Sequence, residues 1–483
     1  MKKQCLNPFL PANEYVPDPE PHVFGDRVYV YGSHDRFGAP MFCVNDYVCW
    51  SAPADNLADW RYEGVIYRKK QDPKNRAGLL LLFAPDVARG PDGRFYLYYG
   101  LSFTGILGVA VSDSPAGPFT FYGHVRFPDG HIWGTKKGDS FAFDPAVLTD
   151  DDGRIWLYSG FATELPAIVT GGKKLTYAGG EVAELSADMK TLKSQPKLLF
   201  PKKGKGSFQN HEFFEASSIR KINGRYYFVY SSRHNHELCY AISDTPDGDF
   251  RFGGILVSNG DIFPKTAQGE KGARNYIGNN HGGMCCIQGQ WYIFYHRHTN
   301  RSSYSRQACA QPLAIEADGT IGQAELTSCG LNGGPLLGRG WYEARICCHL
   351  WSREGTGRYD CRFPKIQFRK HPFLTQSRSK PGKKVWQYIK NMRDGSTAGY
   401  KYFRTENLKA VEVEVRTRTA GKMEISDTPE FERTAGVIEI KPSGKFERYR
   451  GKVSLEDGVR ALYFQYRGSG ACDFRAFRLI PGP

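Results

Sequence analysis

One pattern of apolar and polar positions recurs along the first 330 residues. A polar residue leads, a short strand-like run follows, a turn forms at Gly, and an aromatic-rich run returns. The copies run Asp18 to Tyr31, Asp86 to Tyr99, Asp144 to Tyr158, Glu215 to Tyr230 and His281 to Tyr295. Their turns fall at Gly25, Gly93, Gly153, Gly224 and Gly289. Glycine supplies positive φ, and alternation on either side predicts a β-hairpin. The lead residues stand 68, 58, 71 and 66 positions apart, which leaves room after each hairpin for two more strands. Four strands per unit, five times over, predict a five-bladed β-propeller. The first strand of each blade lines the central axis of such a fold. Asp18, Asp86, Asp144, Glu215 and His281 are therefore expected to converge at one end of the channel.

The pattern breaks at residues 330–340, where five glycines and Pro335 mark a linker or domain edge. Beyond it, Val411 to Arg418 alternates cleanly, and Met423–Ile425, Val437–Ile440, Ala461–Tyr466 and Phe474–Leu479 add short apolar runs. These predict a β-sandwich, jelly-roll-like, over residues 341–483. The whole chain reads as all-β: a propeller over residues 1–330, then the sandwich.

Composition refines this reading. The formal net charge is +15 over 483 residues. Residues 1–340 carry 36 basic and 34 acidic side chains, and residues 341–483 carry 29 and 16. The basic excess thus belongs to the sandwich, and no nucleic-acid motif accompanies it. The longest apolar run, Leu79 to Ala84, is far short of a bilayer span, so no membrane partner is expected. The N-terminus shows no apolar signal-peptide core. Twelve cysteines without a C-x-x-C pair then read as free thiols in a reducing, cytoplasmic compartment. A zinc site is not expected. The H-x-H pairs His234/His236 and His296/His298 have no third ligand at convincing spacing, and Lys202, Lys203 and Lys205 read as a solvated loop.

Four carboxylates and an imidazole around one cavity are costly unless they act, because burial and mutual repulsion penalise each charge. Carboxylates with pKa values pushed apart are the equipment of glycoside hydrolysis, one ionised as base and one protonated as acid.

The motifs Asp18-Pro19, Ala84-Pro85-Asp86, Asp144-Pro145 with its Asp-Asp-Gly turn, and Glu215 before Tyr226-Tyr227 resemble glycoside hydrolase family 43. The resemblance covers about residues 7–325. It implies a five-bladed propeller and an inverting, exo-acting hydrolase that releases α-L-arabinofuranosyl or β-xylosyl residues from plant-derived oligosaccharides. Exo-galactanase activity of the same family and a non-catalytic sugar-binding propeller are the alternatives. The resemblance makes Asp18 the general base, Asp144 the pKa modulator and Glu215 the general acid. Glu20 stands as a fallback base or a ligand for a sugar hydroxyl, and Glu212 as a fallback acid. Glu215-Ala216-Ser217 departs from the family's usual Glu-Gly-Pro, which puts the local backbone path in question. Asp86 and Arg306 are expected to bind substrate, with His34 and Asp35 at the pocket rim and Phe37 stacking on a sugar face. No catalytic cofactor is implied. A structural calcium is implied beside His281, its single protein ligand.

Leu462–Tyr466, Asp473–Phe477 and Tyr400–Phe403 resemble carbohydrate-binding module family 6. That likeness offers Trp386, Tyr388, Tyr400 and Tyr402 for sugar stacking. The alternative is a sandwich that buttresses the propeller or mediates a homo-oligomer.

Overall fold

In the computed structural model, which describes residues 3–204, 206–264, 268–377 and 385–483, the repeated cassettes form five consecutive antiparallel sheets. Lys205 of the basic loop lies outside the described residues. Blade 1 is β1–β4 (Glu20–Phe24, Arg27–Tyr31, Tyr47–Pro53, Arg61–Tyr67), and blade 2 is β5–β8 (Leu82–Arg89, Phe95–Leu101, Ile106–Ser112, Thr120–His124). Blade 3 is β9–β12 (Ala146–Thr149, Ile155–Gly160, Gly179–Leu185, Lys197–Pro201), and blade 4 is β13–β16 (Phe213–Ile222, Arg225–Ser232, Glu237–Ser243, Arg251–Ser258). Blade 5 has three strands, β17–β19 (Met284–Ile287, Gln290–Thr299, Ser302–Leu313). The hairpin glycines all take positive φ, between 63° and 82°, the backbone state that only glycine adopts without strain.

A repeated tyrosine latches neighbouring blades. Tyr31, Tyr98 and Tyr158 occupy equivalent places on the second strands, opposite Glu20, Asp86 and Ala146. Their hydroxyls donate to carbonyls in the next blade: Pro115 at 2.6 Å, Met189 at 2.6 Å and Pro246 at 2.5 Å. Each ring is fully buried, so its one polar atom needs such a partner. The ring of blades closes through Asn7. Its side chain both donates to Ala310 O (3.0 Å) and accepts from Ala310 N (3.1 Å) at the outer edge of β19. Phe9, Leu10 and Val16 join the core shared by blades 1 and 5.

The C-terminal unit is a sandwich of two six-stranded sheets. Its core lies between them and includes Val411, Val413, Val415, Leu462, Phe464 and Phe474. It begins inside the glycine-rich stretch, because Leu336–Leu337 already pairs with Phe403 and Arg404. The sandwich is bound tightly to the propeller. Lys401, 3% exposed, donates to Asp261 (3.1 Å) and Glu325 (2.7 Å), and His349 Nε2 lies 2.7 Å from Asp261. Tyr400 and Tyr402 are not available for sugar stacking. Tyr400 is buried in the sandwich core, and the Tyr402 hydroxyl donates to Glu325 of the propeller. All twelve cysteines are free thiols. Among the described residues no helix is long and apolar enough to cross a membrane.

Candidate active site

A cavity of about 410 Å³ opens at one end of the channel. Asp18, Asp144, Glu215 and His281 line it, on blades 1, 3, 4 and 5. Blade 2 contributes Ala84 at this level, not Asp86. The register explains the difference. Asp18-Pro19-Glu20, Ala84-Pro85-Asp86 and Asp144-Pro145-Ala146 superimpose on their prolines, so Asp86 is equivalent to Glu20 and sits two residues deeper.

Local backbone geometry places the carboxylates. Asp18 and Asp144 have φ of 55° and 47°, and Ala216 has 73°. Non-glycine residues rarely hold the left-handed region, and such strain gathers at functional sites. Here it bends the chain just before β1 and β9 and just after Glu215. Asp144 Oδ2 accepts the Ala216 amide at 3.0 Å, fixing the backbone that carries Glu215. Asp144 Oδ2 also lies 3.4 Å from His281 Nδ1.

Asp18 differs in electrostatic state from Glu215 and Asp144. Burial acts to raise Asp18, but the Arg306 guanidinium 2.9 Å away outweighs it and holds Asp18 well below the usual carboxylate range. Burial and the Asp18 charge push Glu215 up to about 8. Among the described residues no protein group hydrogen-bonds its carboxyl. Burial, then the neighbouring carboxyl groups of Glu215 and Asp18, raise Asp144 well above its ordinary value. The site thus holds an ionised Asp18 facing a protonated Glu215 at neutral pH. Burial lowers His281 to about 4, so its ring is neutral. His296 Nε2 donates to Asn279 O at 2.7 Å, which leaves Nδ1 to accept the Asp18 amide at 3.2 Å.

Arg306 lines the cavity and is held on three sides. Its Nε and Nη2 donate to the two oxygens of Asp35 at 2.9 and 3.1 Å, its Nη1 donates to Asp18, and the Phe42 ring lies 4.8 Å from its guanidinium carbon. Four other expected substrate contacts are corrected. Asp86 is below the cavity, where it bonds His22 Nε2 (2.7 Å) and the Val147 amide (2.7 Å) and so joins blades 1 and 3. Glu20 accepts from Ser218 (3.0 Å) and Arg220 (2.5 Å), joining blade 1 to blade 4. His34 and Phe37 face a different depression, where His34 is held by Glu14 (3.1 Å) and Asp46 O (2.9 Å). Glu212 is outside the cavity lining and pairs with Arg233 at 3.6 Å.

Three groups of ligand-type atoms converge among the described residues: His211, Glu237 and Cys239; His234, His236 and Glu270; Glu20, His22 and Asp86. None includes His281. A calcium ion takes six to eight oxygens, and His281 has one carboxylate oxygen beside it, Asp144 Oδ2. Each cluster's carboxylate already has a partner: Arg220 on Glu20, Arg358 on Glu270 and His211 on Glu237. A calcium at His281, its one protein ligand, would draw most of its oxygens from water.

Several lining residues carry no sequence signal of their own. Phe83, Phe103, Phe141, Phe143, Phe161 and Phe214 form an apolar wall, which strengthens the desolvation of Glu215. Phe42 and Tyr304 form another wall, in edge contact at 4.6 Å. Asp360 reaches the cavity from the C-terminal unit.

The model of Glycosyl hydrolases family 43 matches residues 5–321. A xylosidase/arabinosidase of Thermoclostridium stercorarium is 46% identical over 489 aligned residues, covering 99% of each chain. A β-xylosidase/α-arabinofuranosidase from a compost metagenome, solved with xylotriose, is 28% identical with a TM-score of 0.51, covering 67% of this chain and 98% of its own. An arabinoxylan arabinofuranohydrolase of Bacillus subtilis shares the fold across both units, at a TM-score of 0.51, 22% identity, and 99% and 97% coverage. A propeller that gathers Asp18, Asp144 and Glu215 on one cavity, in a chain that matches the family over residues 5–321, leads to one conclusion: the chain belongs to glycosyl hydrolases family 43 and is a glycoside hydrolase.

Proposed function

We propose that the enzyme is an inverting, exo-acting glycosidase that releases α-L-arabinofuranosyl or β-xylosyl residues from plant-derived oligosaccharides. The observation that carries this reading is the opposition of Asp18, held ionised by Arg306, to Glu215, held protonated by burial, across one cavity. The naming of the 46%-identical relative as a xylosidase/arabinosidase supports the sugar class.

Arg306 occupies Asp18 Oδ1, and Oδ2 takes the proton of an attacking water. The water oxygen bonds to the anomeric carbon as the glycosidic bond breaks. Glu215 gives its proton to the departing oxygen. Turnover leaves Asp18 protonated and Glu215 ionised, and exchange with solvent resets both. Asp144 orients Glu215 through the Ala216 amide, and its proximity raises the cost of ionising the pair.

The test is hydrolysis of 4-nitrophenyl α-L-arabinofuranoside, β-D-xyloside and β-D-galactoside, with proton NMR of the first-formed sugar. Turnover of a pentoside with an inverted first anomer supports the reading. Preference for the galactoside, or retention, overturns it.

A further inference from the structure

We propose that the C-terminal sandwich builds the subsite that holds the leaving-group sugars. This inference rests on the glycosidase reading above.

The catalytic cavity does not end at the propeller. It adjoins a second cavity of about 610 Å³, and Pro40, Phe42, Tyr304 and Asp360 line both. The far side of the second cavity is made by residues 359–366 of the C-terminal unit, with Arg301 of the propeller. Small-ligand sites span about 300–1,000 Å³, and the two cavities together reach the upper end of that range. One pentosyl unit fills only part of such a space.

The segment is fixed against the propeller at the entry to blade 5. Tyr359 N donates to Ile277 O (2.8 Å), and Ile277 N to Gly357 O (3.1 Å). The Tyr359 ring stacks on Tyr276 at 4.6 Å and 10°. Arg358 grips Asp360 with Nε (3.0 Å) and Nη2 (2.9 Å) and Glu270 with Nη1 (2.6 Å). Asn235, also on the cavity wall, donates to Asp360 at 3.3 Å. Asp360 is therefore held at the junction of the two cavities.

The surfaces offered suit a sugar chain. Phe363 is 57% exposed and presents an aromatic ring for stacking, with the Arg362 guanidinium 5.2 Å from its centre. Arg301, Arg362 and Lys365 supply hydrogen-bond donors, and Asp360 supplies acceptors. Among the described residues, Asn235 Oδ1 and Tyr359 Oη, on the two walls, find no hydrogen-bond partner, a deficit that a bound hydroxyl or water offsets. A glycone in the deep cavity and a chain leaving past Phe42 and Tyr304 would meet these residues in turn.

The experiment compares kcat/KM for a pentosyl trisaccharide and for the matching 4-nitrophenyl pentoside, in wild type, Asp360→Ala and Phe363→Ala. The nitrophenyl group spans one ring and reaches less of the second cavity. Each variant should lose about tenfold more on the trisaccharide than on the aryl glycoside, mostly through KM. Equal losses on both substrates, or an unchanged trisaccharide rate, overturn the proposal. If Asp360→Ala does not fold, Phe363→Ala decides alone, because an exposed ring is not needed for the core. A wild type that cleaves neither pentoside overturns the proposed function instead.

Discussion

Arg306 Nη1 donates to Asp18 Oδ1 at 2.9 Å, from a guanidinium whose opposite edge is locked by Asp35. A buried carboxylate without such a partner would take up a proton. The arginine therefore keeps Asp18 ionised in a cavity that otherwise favours neutral groups. Replacing Arg306 by Gln removes the attraction, and burial then raises Asp18. The acid limb of the kcat/KM profile should move up by about one pH unit or more, and kcat/KM at pH 6 should fall about 100-fold or more. A profile whose acid limb stays in place contradicts the assignment.

Glu215 carries a stability signature as well as a catalytic one. Its folded-state value is about 8 against an ordinary 4.5. Between those pH values the folded chain keeps a proton that the unfolded chain releases, so stability falls as pH rises through this window. Glu215→Gln removes that dependence. Its melting temperature should match wild type near pH 4.5 and exceed it by about 3 °C at pH 8. A constant offset at both pH values would show that Glu215 is not held protonated.

The channel below the cavity has no spare volume at Gly283. A Cβ there would lie 2.4 Å from Glu20 Oε2 and 2.6 Å from Ser218 Oγ. Both atoms belong to the Glu20–Ser218–Arg220 cluster. Gly283→Ala should cost about 2–3 kcal/mol in denaturant unfolding. Gly289→Ala meets nothing within 4 Å and pays only for its φ of +80°, about 1 kcal/mol. Equal costs would place the tight packing elsewhere.

Asp261 ties the two units together through Lys401 and His349. Among the described residues, Asp261→Ala leaves a nearly buried lysine with Glu325 as its one remaining carboxylate, at 2.7 Å. Breaking a buried pair from one side costs about 3 kcal/mol. Calorimetry should show a lowered first transition, with the two units no longer melting together. An unaltered single transition would mean that the interface does not depend on this network.

The blades could be read from the chain because Gly turns and period-two alternation are local signals. Asp18, Asp144 and Glu215 are legible because each leads a repeat, seven to nine residues before its turn glycine, whereas Arg306 is signalled only by the family resemblance. Asp86 lies two residues deeper than its place as a lead carboxylate predicts, because Pro19, Pro85 and Pro145, not the carboxylates, mark equivalent positions. His34 and Phe37 lie on an irregular connection between β2 and β3, where periodicity says nothing about direction. Their neighbour Asp35 faces inward to Arg306 instead. Asp360 could not be found this way, because no local pattern links it to Asn235, 125 positions earlier.

The central claim is that Glu215 donates the proton that a sugar leaving group needs. Its most direct test is the dependence of Glu215→Gln on the leaving group. The variant should lose about 1,000-fold in kcat/KM on an unactivated pentosyl oligosaccharide. On a 2,4-dinitrophenyl pentoside, whose leaving group departs without a proton, it should stay within about tenfold of wild type. Equal losses on the two substrates would contradict the account and remove Glu215 from proton transfer.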